Sequence, residues 1–212
     1  MSDALIVWGG WDGHHPAEFA GHCAEMLREE GLTVDVSDSL DALSDGLREL
    51  SLIVPIWTMG TIAPEPLAAL VAAVESGVGL AGFHGGMGDA FRDATDFQFM
   101  VGGQFVAHPD NIKDYEVAIA DREHEITRGL GGFRMHSEQY YMHVDPSNHV
   151  LATTVFEPAS APWVAGVEMP VAWTRLHGEG RVFYSSLGHQ PADLGVHEAG
   201  ELLRRGMVWA AR

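Results

Sequence analysis

The chain has few of the side chains on which covalent enzymes depend. Its 212 residues include one cysteine, Cys23, and one lysine, Lys113. A single cysteine cannot form an internal disulfide, which is typical of a reducing compartment. Cys23 shares a face of a predicted helix with apolar side chains, so we interpret it as a core residue rather than a nucleophile. Lys113 lies in a polar stretch, which disfavours a Schiff base.

Positive charge and long apolar runs are also scarce. Twelve Lys and Arg residues stand against thirty Asp and Glu residues, for a formal net charge of −18. This balance disfavours nucleic acids and anionic membrane surfaces as partners. No apolar run approaches the roughly 20 residues of a membrane-spanning helix. With no basic, cleavable segment at its start, the sequence leads us to expect a cytoplasmic protein.

The hydrophobic pattern predicts an α/β fold with a β-rich second half. Apolar runs that end near glycine predict buried parallel strands in the first 86 residues, with helices that begin at Pro16 and Pro64 between them. A polar stretch, 41–49, is predicted to be helical. Five strands follow in the second half, one of them over 135–144, before a last helix over about 196–211. No linker or repeat divides the chain, so we expect one domain over 1–212.

One of these strands ends in a glycine-rich turn with histidine at its centre. The segment Gly82-Phe83-His84-Gly85-Gly86 has the outline of a nucleophile elbow, a tight strand-to-helix turn that projects its central side chain into a crevice. Imidazole forms no lasting acyl intermediate, but it is a good metal ligand or acid–base group. The alternative is a buried, hydrogen-bonded histidine, which leaves the flanking glycines unexplained.

Two other loops carry aromatic residues where a ligand would bind in such a sheet. The first strand is followed by glycines, Trp11 and His14, and the third by Trp57. The first loop lacks the G-x-G-x-x-G pattern, so we expect no nucleotide cofactor. Trp57 fits the wall of a sugar pocket, but it fits an ordinary core equally well.

Further histidines follow predicted strands in the second half. His108 lies in a glycine-flanked turn, and His189 follows the strand 181–185. In the predicted strand 135–144, the two-residue period places His136, Glu138 and Tyr140 on one face and His143 on the other. A convergent His/Glu site explains this placement better than scattered structural histidines. Four further histidines in polar or turn contexts are interpreted as solvated: His124, His149, His177 and His197.

Six segments, taken together and in order, resemble one family. They are VWGGWDGHHP, IVPIWTMGTI, GLAGFHGGMGDAFR, GGQFVAHP, SEQYYMHVDP and VFYSSLGH. They resemble the ThuA family of trehalose-utilisation proteins, and the first half resembles the class I glutamine amidotransferase-like fold. The resemblance implies a flavodoxin-like, three-layer sandwich with a mostly parallel central sheet. It also implies loss of the amidotransferase cysteine, so we expect no glutamine hydrolysis.

The resemblance further implies a role in disaccharide catabolism, beside an NAD-dependent sugar oxidoreductase that makes 3-keto sugars. The substrate would then be a 3-keto sugar or glycoside, isomerised or cleaved by elimination through an enediolate. Such chemistry needs a base and an electrophile, which histidines holding zinc or manganese would supply. The hypothesis assigns catalysis to His84, Glu138 and Tyr140, substrate binding to Trp11, His14, Trp57 and His143, and metal binding to His84, His108, His189 and Glu138.

Two other functions remain open at this point. One is a non-catalytic sugar-binding protein that retains the fold. The other is a metal-dependent hydrolase, which is disfavoured because the paired carboxylates of glycoside hydrolases are not recognisable. Aromatic residues such as Trp163 and Trp173 leave a homo-oligomer open.

Overall fold

The computed structural model describes residues 2–211, and one nine-stranded sheet runs through both halves of the chain. Five neighbouring strands on one side of this sheet are parallel, in the order β2-β1-β3-β4-β11. These strands are β1 (Ala4–Gly10), β2 (Val34–Ser37), β3 (Leu52–Thr58), β4 (Gly79–Phe83) and β11 (Gly180–Ser185). Their carboxyl ends meet at one edge, where α/β sheets bind ligands.

The second half of the chain extends this sheet with antiparallel strands, in the order β11-β10-β9-β6-β7. These strands are β6 (Ile112–Ile119), β7 (Phe133–Glu138), β9 (His149–Val155) and β10 (Glu168–His177). A separate antiparallel pair joins β5 (Gly103–Ala107) to β8 (Tyr141–Val144). The β-rich second half is therefore an extension of the parallel sheet.

Helices cover both faces of the sheet and complete a three-layer sandwich. Alternate residues of β1 point to opposite layers: Ile6 packs in the core with α1 (Pro16–Glu29) and α5 (His197–Ala210), and Val7 packs in the core with α2 (Pro64–Glu75) and α4 (Thr95–Val101). The short helix α3 (His84–Gly88) follows β4 directly. The predicted fold class is confirmed. Within residues 2–211, no helix is long and apolar enough to span a membrane.

The structure corrects three details of the sequence-based prediction. The stretch predicted as a helix over 41–49 forms two 3-10 turns, Leu40–Leu43 and Leu47–Glu49, because Gly46 between them has a φ of +75°. The predicted strand over 135–144 is two strands, since β7 and β8 belong to different sheets. Trp173 is fully buried, so it leaves no exposed aromatic surface for a partner.

The packing of α5 on the sheet gives a direct test of the fold. A Cβ at Gly206 would lie 2.2 Å from the ring of Phe183, whereas a Cβ at Gly21 in α1 would meet nothing within 4 Å. We expect Gly206→Ala to lower the free energy of unfolding by about 1–3 kcal/mol through overpacking. Gly21→Ala should raise it by about 0.5–1 kcal/mol, because alanine favours the helix. Urea unfolding measures both, and the opposite order would contradict this packing.

Candidate metal and catalytic site

Three histidines meet at the carboxyl edge of the parallel strands, and the other half of the sheet supplies a carboxylate. His14 ends the 3-10 turn Asp12–His14 after β1, His84 follows β4, and His189 follows β11. Glu138 is the last residue of β7. His14, His84 and Glu138 are buried and His189 is half-buried.

The turn after β4 has the backbone of an elbow. His84 has a φ of +46°, a left-handed conformation that costs a residue with a side chain about 1 kcal/mol or more. The turn also brings backbones together, since a Cβ at Gly86 would lie 3.0 Å from Cα of Ile56. At Gly85, a Cβ would lie 2.7 Å from the ring of His14. The glycines therefore allow two histidine-bearing loops to approach each other.

Four imidazoles surround the carboxylate of Glu138. Oε2 lies 3.2 Å from Nε2 of His84, 3.3 Å from Nδ1 of His189 and 4.0 Å from Nε2 of His14. On the other side of the carboxylate, Oε1 lies 3.7 Å from Nε2 of His108. The predicted candidates His84, His108, Glu138 and His189 thus lie together, and His14 joins them.

Contacts on the outer nitrogens fix how two of the rings face Glu138. Nδ1 of His84 lies 2.9 Å from the carbonyl oxygen of Ser186. A carbonyl oxygen only accepts, so Nδ1 carries the proton, and neutral His84 presents the lone pair of Nε2 to the carboxylate. Nδ1 of His14 lies 2.9 Å from the hydroxyl oxygen of Thr58. Outer contacts of this kind orient histidine ligands in metal sites.

The electrostatics favour an ionised Glu138 and neutral rings at His14 and His84. Burial alone would raise the pKa of Glu138, but His189 and His84 outweigh it when their rings carry a proton toward the carboxylate, and they then hold that pKa well below its usual range. Burial lowers the pKa of His84, and burial together with the neighbouring His84 and His189 lowers the pKa of His14 to about 3. Once His84 is neutral, its lone pair and the carboxylate are two acceptors that face each other across 3.2 Å.

A cation between these groups would remove the repulsion. The ligand atoms of His14, His84, Glu138 and His189 all lie within 4.8 Å of one another, so this group could hold a metal ion. Nε2 of His84 and Nδ1 of His189 are buried without a hydrogen-bond partner among residues 2–211. The donor set of three nitrogens and one carboxylate is one that zinc accepts. The residues present therefore fit a metal.

The geometry differs from the predicted ligand set in one member. His14, predicted to contact substrate, belongs to the group, whereas His108, predicted as a ligand, lies outside it on the other oxygen of Glu138. One signal in the sequence could have indicated His14, because it follows a parallel strand as His84 and His189 do. No local pattern in the sequence indicates that Thr58 and Ser186 contact these rings.

Two of the predicted aromatic residues, Tyr140 and Trp11, contact this group. The ring of Tyr140 stacks on His84 with centroids 4.0 Å apart, and burial raises the pKa of the Tyr140 hydroxyl well above its usual value. Trp11 is half-exposed and meets His14 edge-on at 4.7 Å. Trp57 leaves no room for a Cβ at Gly9 or at Gly60, where one would lie 2.6 Å from its ring.

His136 and His143 lie outside the cluster. His143 is exposed on β8 and lines a separate groove with Gln98 and Phe99. Its predicted role in substrate binding at this cluster does not fit that position, because the chain enters a different sheet after Glu138. His136 is exposed and contacts Asp114 at 2.9 Å.

A family comparison matches almost the whole described chain. The family model for ThuA, described as trehalose utilisation, matches residues 3–210. The chain belongs to the ThuA family. No curated protein matches it by sequence.

Solved structures, two of them of ThuA-like proteins, share this fold. One from Bacteroides uniformis is 19% identical, with a TM-score of 0.79 over 98% of this chain and 90% of that one. Another, from Parabacteroides merdae, is 18% identical, with a TM-score of 0.78 over 98% and 88%. A cytoplasmic protein from Salmonella typhimurium LT2 is 13% identical, with a TM-score of 0.68 over 99% of both chains.

In this ThuA protein the elbow carries an imidazole, and the thiol lies elsewhere. Cys23 is fully buried in α1, and burial raises its pKa to about 12. The thiol is therefore protonated at neutral pH and closed to substrate.

The elbow backbone can be tested through stability. Because His84 is left-handed, His84→Gly should give a metal-free protein that is about 1 kcal/mol more stable than His84→Ala. Both changes remove the same imidazole, so their difference reports the backbone alone. Urea unfolding of the two variants measures it, and equal stabilities would contradict an elbow at this position.

Proposed function

We propose that this ThuA protein acts on a 3-keto sugar or 3-keto glycoside by removing a proton beside the carbonyl, giving an isomer or eliminating the glycosidic oxygen. The observation that supports this most strongly is the buried carboxylate of Glu138 among the imidazoles of His14, His84 and His189, next to the half-exposed Trp11. Family membership supports the sugar as substrate.

The four residues of the group would hold a zinc or manganese ion. Both metals accept mixed imidazole and carboxylate ligands. When bound, a divalent metal polarises a carbonyl oxygen and stabilises the charge of an enediolate. Glu138 would then serve as a ligand, and the base would come from another residue.

His108 is the side chain best placed to be that base. It lies outside the group that could hold the metal, 3.7 Å from Oε1 of Glu138, and its side chain is one-third exposed. Its Nδ1 is buried without a hydrogen-bond partner in the described structure. We propose that His108 takes the proton from carbon. In isomerisation it returns that proton to the neighbouring carbon while the hydroxyl proton passes from one enediolate oxygen to the other, and in elimination it gives the proton to the departing glycosidic oxygen.

Tyr140 would assist in two ways. Its ring stacks on His84 and limits rotation of that imidazole. Since burial raises its pKa, the Tyr140 hydroxyl stays protonated and can donate a hydrogen bond to a developing negative charge on the substrate.

Aromatic and apolar side chains at the rim would bind the sugar. Trp11 and Met59 are 47% and 38% exposed at the ends of β1 and β3. Large flat side chains bury the apolar face of a ring while leaving hydroxyls free to bond. Trp57 would extend this surface.

The proposed substrate needs a supplier. Making a 3-keto sugar requires oxidation of a ring hydroxyl, which an NAD-dependent sugar oxidoreductase performs. We therefore propose such an enzyme as a functional partner in the cytoplasm. Self-association of this chain is also proposed, through a surface that includes Trp163, which is 81% exposed.

Metal content tests the first part of the proposal. Protein purified without added metal should contain about one zinc or manganese ion per chain, and chelation should abolish sugar turnover. Glu138→Gln should weaken metal binding at least about 10-fold, because it removes the anionic ligand. Glu116→Gln is the matched control, since Glu116 is an exposed strand residue paired with Arg134. Metal-free protein with full turnover would contradict a metal role.

Turnover tests the reaction itself. Trehalose and 3-keto-trehalose are incubated separately with the protein and followed by NMR, and only the keto sugar should be converted. His108→Ala should slow this conversion by about 10²- to 10⁴-fold through loss of the base, without loss of metal. His143→Ala, an exposed histidine outside the cluster, should leave the rate unchanged.

Three results would contradict the proposed reaction. Binding of the keto sugar without conversion would indicate a non-catalytic sugar-binding protein. Hydrolysis of trehalose would indicate a metal-dependent hydrolase. Unchanged turnover in His108→Ala would remove His108 from the base role.

A further inference from the structure

Glu138 and His189 come from strands that do not pair with each other. Glu138 ends β7 at the outer edge of the nine-stranded sheet, and His189 follows β11, with β10, β9 and β6 between them. Strand pairing therefore does not set their separation directly. Yet Oε2 of Glu138 and Nδ1 of His189 lie 3.3 Å apart. Contacts outside the strand pairing therefore contribute to their position.

One carboxylate oxygen makes such contacts. Oδ2 of Asp193 accepts hydrogen bonds from the Ser137 hydroxyl at 2.6 Å, from the backbone N–H of His189 at 2.9 Å and from the backbone N–H of Gln190 at 3.2 Å. Ser137 directly precedes Glu138 and is 2% exposed. The same oxygen thus bonds the residue next to one member of the cluster and the backbone of another.

We propose that Asp193 is a positioning residue, which acts through Ser137 to fix Glu138 against His189. This inference rests on the proposed function only in taking the cluster as the functional site, and it does not depend on which reaction occurs there. Asp193 bonds the hydroxyl of Ser137 on one side and the backbone of His189 and Gln190 on the other, so it acts through the neighbour of Glu138 and through the backbone of His189. Bonds to an ionised acceptor are shorter and stronger than neutral ones, which suits a carboxylate for this task.

An ordinary turn cap explains only part of this arrangement. Asp193 lies in the 3-10 turn Pro191–Gly195, and its bonds to the N–H groups of His189 and Gln190 are those of a local cap. The bond from Ser137 is different, because it reaches a strand 56 residues away in the chain. It contributes nothing to capping the turn and connects the turn to β7.

Tyr115 also holds residue 138 through a hydrogen bond to its backbone. Its hydroxyl donates to the carbonyl oxygen of Glu138 at 3.1 Å. Burial raises the pKa of Tyr115, as do the nearby Asp193 and Glu138, so the hydroxyl remains a donor. Residues 137–138 are therefore held by pairing with β6, by Tyr115 and by Asp193, and of these three Asp193 is the one that also bonds the backbone of His189.

The decisive variant is Ser137→Ala, which removes the connection but leaves both backbone bonds of Asp193. The control is Thr127→Val, which removes a buried hydroxyl that bonds the carbonyl oxygens of Asp121 and His124. Zinc titration measures affinity, thermal unfolding of the metal-free proteins measures stability, and ¹⁵N NMR follows the ring of His189.

We expect Ser137→Ala to bind zinc about 10- to 100-fold more weakly than the unmodified protein, as for other supports of metal ligands. Thr127→Val should keep the zinc affinity of the unmodified protein, even if it lowers the unfolding temperature as much as Ser137→Ala does. Asp193→Asn, which keeps an acceptor oxygen, should retain more affinity than Asp193→Ala. Unchanged zinc affinity in Ser137→Ala, or an equal loss in Thr127→Val, would overturn the proposal.

The NMR measurement separates this proposal from the metal site itself. If the unmodified protein binds no zinc, the metal part of the proposed function fails, and the metal-free His189 ring still reports its position. A His189 resonance that shifts or broadens in Ser137→Ala, but not in Thr127→Val, supports positioning by Asp193. A resonance unchanged in Ser137→Ala overturns it.

Discussion

Burial of the Glu138 carboxylate is the constraint around which the site is built. An ionised carboxylate out of water must be compensated, and here imidazoles surround it. The Ser186 carbonyl fixes the proton of His84 on the far nitrogen, so the near nitrogen presents a lone pair to Glu138. A cation satisfies both groups at once. The left-handed backbone of His84 and the close approach at Gly85 both serve to bring the rings to this carboxylate.

The two halves of the sheet contribute different parts of the site. The parallel half brings His14, His84 and His189 together, because its strands end at one edge. The antiparallel half supplies the carboxylate at the end of β7. An elbow that elsewhere projects a nucleophile here projects a potential metal ligand. The backbone of the turn is thus that of a nucleophile elbow, but the side chain that it projects is an imidazole.

The sequence predicts this site in outline, because the ends of parallel strands can be inferred from apolar runs and glycines. His84 and His189 were placed correctly at the edge on that basis. The place of His14 at this edge can be inferred in the same way, because it follows β1. The position of His108 on the other oxygen of Glu138 cannot, since it depends on which ring nitrogen faces Glu138 across the fold. The break after Glu138, which separates His143 from the cluster, was missed because β7 and β8 together look like one strand of alternating residues. The contacts from Ser186 and Thr58 join residues 102 and 44 positions apart and leave no local pattern.

The most direct test of the central claim is the X-ray absorption spectrum of the zinc-loaded protein at the zinc K edge. The account predicts a four-coordinate or five-coordinate ion with three imidazole nitrogens and one carboxylate oxygen, at about 2.0–2.2 Å. Scattering from the imidazole rings should be prominent and should fall by one ring in His14→Ala. A shell of oxygen atoms without ring scattering, as for a hydrated surface ion, would contradict the account.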